Sequence, residues 1–207
     1  MKQYKPTTPA RRGMTGIDFS KLSKKRPEKR LLKYVKRHVG RSSSGEITVR
    51  HKGGGVKKLY RIIEFSQTRI DSPAKVIALE YDPNRTAFIA LIQYQNAGKP
   101  ASSADRQYII APHDLKVGQE IVFSEKAVLN TGNRIKLKNI PVGTAVYNVE
   151  LEAGKGGKIV RSAGSSAQVL AHDGEYVNLK MPSTEIRKFS GECFASIGMV
   201  SNPENRF

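Results

Sequence analysis

Between Gly40 and Arg61 the chain reads GRSSSGEITVRHKGGGVKKLYR, setting Arg41, Arg50, His51, Lys52, Lys57, Lys58 and Arg61 around a Ser-rich turn and three consecutive glycines, Gly53, Gly54 and Gly55. Residues of these types perform electrostatic recognition rather than bond breaking. Glycine lacks a Cβ and tolerates positive φ, so a glycine run lets the backbone lie against a phosphate chain and offer it amide groups. The flanking cations supply the charge. Taken alone, the three glycines suit a hairpin loop with solvated lysines equally well, because short motifs match by chance. A second stretch repeats the arrangement: in AGKGGKIVRSAGSSAQ, residues 153–168, Lys155, Lys158 and Arg161 alternate with Gly154, Gly156, Gly157 and Gly164. It is not a nucleotide-hydrolysing P-loop, since it has neither the G-x-x-x-x-G-K-[ST] spacing nor a strand-to-helix setting. A third candidate is Arg85, which the turn YDPNR, with Pro83 pre-setting φ, projects from a loop rim where a guanidinium could fork onto a phosphate or stack on a base; a surface arginine without a role fits the same residues.

Enzymatic constellations are not found. The histidines at 38, 51, 113 and 172 are scattered, and His113 and His172 sit in turn-like settings. A single cysteine, Cys193, cannot complete the usual zinc patterns, and its place in GECFASIGMV predicts a buried, inert thiol in a core strand. One cysteine also rules out an internal disulfide framework and fits a reducing compartment. No G-x-S-x-G elbow is present, paired catalytic carboxylates cannot be picked out, and no cofactor is expected.

The elements that must position these residues follow from charge and periodicity. Of the formal +18 on 207 residues, +15 lies in residues 1–60, with 18 Lys and Arg against 3 Asp and Glu, and only +3 in residues 61–207, with 18 against 15. A basic arm on a nearly balanced body points to nucleic acid or an anionic membrane surface. The first dozen residues, with Pro6, Pro9, Arg11 and Arg12, have no hydrophobic period and are expected to be extended and disordered in isolation. In KLSKKRPEKRLLKYVKRH, Leu31, Leu32 and Val35 are spaced for a short helix, but its apolar face is too small for membrane insertion, which favours RNA. No apolar stretch is long enough to span a membrane and the N-terminus lacks a signal-peptide core.

After the arm the pattern is β throughout. EITVR alternates as a short strand ending in the glycine turn, and KKLYRIIEF, AKVIALEYD, TAFIALIQY, RQYIIA and QEIVF are short β-branched runs separated by Pro, Asn, Asp and Gly. They predict an OB-like barrel over 40–125, interrupted by a polar loop from Gln95 to Asp105. VGTAVYNVEL, KIVRSAG, AQVLAHDG, EYVNLKM, TEIRKF and ASIGMV predict a second small barrel over 126–200, after the Pro141 and Gly143 punctuation. The extension 1–39 precedes them, and 201–207 begins a tail.

In order along the chain, YKPTTPARRGMT, GRSSSGEITVRHKGGG, LYRIIEF, EYDPNR, YIIAP, NIPVGT, GKGGKIVRSAG and GECFASIG resemble the bacterial-type ribosomal protein L-two family of the large subunit, over nearly the whole chain. The resemblance implies an all-β fold, an OB-like barrel followed by an SH3-like barrel with a basic N-terminal arm. It implies a structural role in translation: binding large-subunit rRNA, supporting assembly, subunit association and the peptidyl transferase region, with neighbouring ribosomal proteins and the small subunit as further partners. Cytoplasmic and organellar ribosomes are both open. The family's RNA-contacting arginines in its YDPNR and RSAG motifs correspond to Arg85 and Arg161, the latter followed by Ser162. With Arg11 and Arg12 of the arm and the cations and glycines of the two loops, these form the expected RNA-binding set. Three departures stand out: Val56 and Tyr147 replace family histidines, Phe194 replaces an arginine, and the family's long C-terminal extension has no counterpart after SNPENRF, as expected of a truncated, split or partial chain. The rival readings are a free RNA chaperone binding single strands, for which 7% aromatic residues and no Trp are unfavourable, and an enzyme.

Overall fold

The computed structural model describes residues 2–67, 69–95, 105–125 and 127–206. The polar loop expected from Gln95 to Asp105 therefore lies, except for its two ends, outside the described residues. The arm contributes β1 (Lys2–Gln3) and β2 (Thr15–Gly16), which pair around one helical turn, α1 (Pro9–Arg12), capped by the Thr8 hydroxyl. Among the described residues no longer helix follows. Lys29–Leu31 forms a single 3₁₀ turn and β3 (Leu32–Tyr34) pairs antiparallel with β4 (Leu59–Arg61). Strand pairing overrides the helical spacing here: the Leu31 carbonyl accepts the Ile62 amide, and Leu31 packs against the core.

The first barrel is built on β5 (Ala74–Glu80), β6 (Ile89–Tyr94), β7 (Arg106–Ile110) and β8 (Glu120–Ile121), an antiparallel sheet in the order β7-β6-β5-β8. A bulge between Val76 and Ala78 curls β5, and the segment after β4 runs beside β7 through an Ile63–Tyr108 bridge. The sheet is apolar on both faces, which explains the unbroken buried run Ile89, Ala90, Leu91 and Ile92. Val76, Ala90, Ile92 and Ile109 pack with Leu115 and Phe123 on one side. Ala78, Ile89, Leu91 and Ile110 face the other way and belong to one continuous apolar cluster with the second barrel's Ile135, Val146 and Val200.

The second barrel comprises β9 (Arg134–Lys136), β10 (Ala145–Tyr147), β11 (Val149–Glu150), β12 (Gly157–Ile159), β13 (Ala167–Asp173), β14 (Tyr176–Lys180), β15 (Ile186–Ser190) and β16 (Phe194–Ile197). Six of these form one sheet, β15-β14-β13-β10-β16-β9, while β11 and β12 pair separately. The fold is thus all-β, an OB-like barrel followed by an SH3-like barrel. The two are stitched together by backbone: Phe123 bridges Arg134, Pro112 bridges Val200, and the Ser201 and His113 amides donate to the Ala111 and Met199 carbonyls.

EITVR does not become a strand. Gly40 accepts both the Thr48 and Val49 amides, only an Arg41–Ile47 bridge forms, and Ile47 and Val49 stay 62% and 47% exposed. No apolar surface lies beneath the alternation to reward pairing.

Candidate nucleic-acid interface

Residues 40–58 form an exposed basic loop leading into β4. Gly53, Gly54 and Gly55 have φ of 125°, 72° and 77°, three successive left-handed residues that only glycine adopts freely. Arg37 locks this run, its guanidinium donating to the Gly54 and Val56 carbonyls at 3.1 Å each. The result is a cleft lined by Arg37, His38, Arg41, Lys52 and the glycine backbone. Arg50, His51, Lys52 and Lys58 are exposed around it; Lys57 lies 4.8 Å from the centre of the Tyr34 ring, and Arg41 donates to the Gly45 carbonyl at 2.8 Å. Arg11 and Arg12 are exposed on α1, away from any core. Val56 is 82% exposed beside the loop, whereas Tyr147 is buried in the core.

A second basic cluster forms where the barrels meet, and its centre is Phe65. The Arg85 guanidinium lies 5.5 Å from the Phe65 ring centre and the Arg161 guanidinium 4.6 Å from it, so two loops 76 positions apart in the chain converge on one aromatic ring. Cation–π attraction and planar stacking both suit this arrangement. Arg85 is further held by Asp82 at 3.0 Å, by the Tyr60 hydroxyl at 2.8 Å and by the Tyr60 ring. Asp82 itself is fully buried and accepts the Asn84 amide at 2.9 Å, the Asx turn that YDPNR predicts. Arg161 is exposed, touching only the Gly157 carbonyl and the ring among its described polar and aromatic contacts.

The glycines of 153–168 have a different task from the one their pattern suggests. Gly157 donates its amide to the Phe65 carbonyl at 3.1 Å, and a Cβ on it would come within 2.1 Å of Asn148 Oδ1. A Cβ on Gly156 would meet Ser66 at 2.9 Å. Gly156 lets the second barrel's loop lie against the first barrel, Gly157 lets it close on Asn148 of its own barrel, and Gly154 faces open space. Lys158 and Ser162 are exposed, while Lys155 is ion-paired with Glu152. That pairing also holds the Glu152 carboxyl below its ordinary range. Arg61 is turned inward: its side chain is 13% exposed, it donates to Leu59 and lies 3.9 Å from Asp82.

Beneath the loop sits an ion pair that sequence reading did not identify. Arg134 and Glu150 are each 1% exposed and 2.9 Å apart. Burial pulls the Arg134 guanidinium below its usual pKa, and the Glu150 carboxylate opposes that pull. Nothing in NRIKLK distinguishes Arg134 from a solvated cation, and Phe65 reads simply as the last apolar residue of LYRIIEF.

Among the described residues no group of three His, Cys, Asp or Glu is placed to hold a metal ion, and no helix is long and apolar enough to cross a membrane. Burial, with help from Glu150, pushes the Cys193 thiol up, so it stays protonated at neutral pH.

Two family models match the chain and together cover most of it. One, described as Ribosomal Proteins L2, RNA binding N-terminal domain, matches residues 28–123. The other, described as Ribosomal Proteins L2, C-terminal domain, matches residues 130–206.

Proposed function

The chain belongs to the ribosomal protein L2 family, and from that premise we propose that it is a structural component of the large ribosomal subunit which binds rRNA through its arm, its glycine loop and the Arg85–Phe65–Arg161 cluster. The OB-like barrel takes 40–125, the SH3-like barrel 126–200, and residues 1–39 form the arm. The observation that carries the reading is the meeting of one arginine from each barrel on a single ring. A phosphate backbone held there touches both barrels at once, so the pair, already joined through a shared core, braces RNA by shape and charge. Neighbouring ribosomal proteins, a contact with the small subunit and support of the peptidyl transferase region complete the proposed role, which requires no cofactor and no catalysis by the protein.

The test is binding to transcribed large-subunit rRNA across a range of salt concentrations. Arg161→Ala is expected to weaken binding by about tenfold and to flatten the salt dependence by about one unit of slope, with an unchanged far-UV spectrum. Wild-type affinity and slope in that variant would sink the reading, and a melted spectrum would make Arg161 structural. Phe65→Leu separates placement from charge: it removes no cation, so affinity is expected to fall about fivefold while the salt slope holds. An undiminished affinity there would mean that the two arginines act independently. A free RNA chaperone would instead bind unrelated single strands as tightly as rRNA.

A further inference from the structure

We propose that Glu150, neutralised by Arg134, is a positioning residue that sets the path of the RNA-binding loop from Glu152 to Ser162. The inference rests on the RNA-binding reading above and deepens it. Glu150 divides its carboxylate between two tasks. Oε1 receives Arg134 Nη2 at 2.9 Å, and Arg134 Nη1 goes on to the Asn148 carbonyl at 2.7 Å. Oε2 accepts the Gly154 amide at 3.1 Å and the Phe194 amide at 3.0 Å. The first half of the loop is thus held at two points, at Gly154 by the carboxylate and at Gly157 by its β11–β12 pairing with Glu150 and by its amide on Phe65.

Core packing does not explain this pair. A buried ion pair carries a large desolvation cost, and apolar residues of similar volume commonly serve a core as well or better. Arg134 even leaves its Nε without a partner. What apolar residues cannot do is accept the Gly154 and Phe194 amides together. With the Gly154 amide drawn inward to Glu150, the residues that follow leave Lys155 and Lys158 exposed and bring Arg161 against Phe65. The register shift opposite Glu150 falls on β12, where Lys158 is the extra residue between Gly157 and Ile159.

The test uses the full chain, transcribed large-subunit rRNA and thermal melting. In the double variant Arg134→Met with Glu150→Leu, the core is expected to melt close to the wild type while RNA affinity falls about tenfold. The salt slope should fall toward that of Arg161→Ala, because the displaced loop no longer carries its cations to the phosphates. A folded double variant with wild-type affinity overturns the proposal. Gly154→Ala keeps it exposed to failure should the double variant not fold. Space around Gly154 is open and its φ is 75°, so alanine penalises the loop path by backbone strain without a clash, and affinity should fall about fivefold while the melting temperature drops by only about 2 to 8 °C. Wild-type affinity in Gly154→Ala likewise overturns it. Arg161→Ala is the reference. If that variant binds with wild-type affinity and slope, the RNA-binding reading itself has failed, a result distinct from normal Arg161 dependence with an indifferent loop.

Discussion

Asp82→Ala is expected to lower the stability of the protein by about 3 kcal/mol and its melting temperature by about 6 to 12 °C. Asp82 is wholly buried, yet it faces Arg85 at 3.0 Å and Arg61 at 3.9 Å, whose side chains are only 21% and 13% exposed. Removing the carboxylate leaves two half-buried guanidiniums without their counter-charge and strips the Asn84 amide of its acceptor. Because Arg85 then has only Tyr60 and the Phe65 ring to hold it, RNA affinity should fall with stability. Asp82→Asn is the control. It retains volume and an acceptor for Asn84 but no charge, so its loss should fall between wild type and alanine. Equal melting temperatures for wild type and Asp82→Ala would show that Tyr60 and Phe65 alone suffice.

The other large effect is electrostatic. Deleting residues 2–21 removes Lys2, Lys5, Arg11, Arg12 and Lys21 against the single acid Asp18. Binding to rRNA near physiological salt is expected to weaken about a hundredfold, and the salt slope to drop by about three units. Stability should change little. β1 pairs only with β2 among the described strands, and the backbone first joins the body at Ser23, which donates its amide to Leu79 at 2.8 Å, and then at Glu28, which donates to the Tyr108 hydroxyl at 2.9 Å. A truncated chain that kept its RNA affinity and slope would show that the cations of the first 21 residues stay in solvent.

Much of this protein was legible in its sequence, for identifiable reasons. Charge is additive along a chain, so the contrast between an arm at +15 and a body at +3 needs no coordinates. AKVIALE reads as a short β-branched run bounded by turn residues, and it became β5. Three successive glycines announce backbone conformations closed to other residues, and Gly53 to Gly55 adopt them. Arg85 and Arg161 were visible as cations on turns beside small residues.

Tertiary structure decided what long-range partners decide. Leu31, Leu32 and Val35 are spaced for a helix, but β4 offered backbone partners some 27 positions away and the segment became a strand. EITVR alternates like a strand, but nothing apolar underlies it and it remains an exposed loop. Gly156 and Gly157 read as phosphate-approach residues, yet the surface they approach is Ser66 and Asn148 of the same chain. The meeting of Arg85 and Arg161 on Phe65, and the anchoring of Gly154 by a carboxylate paired with Arg134, are likewise invisible from the sequence alone. Composition and periodicity report a residue's own preference and that of its near neighbours, whereas a contact between residues 65 and 161 exists only once two barrels have closed and been placed against each other.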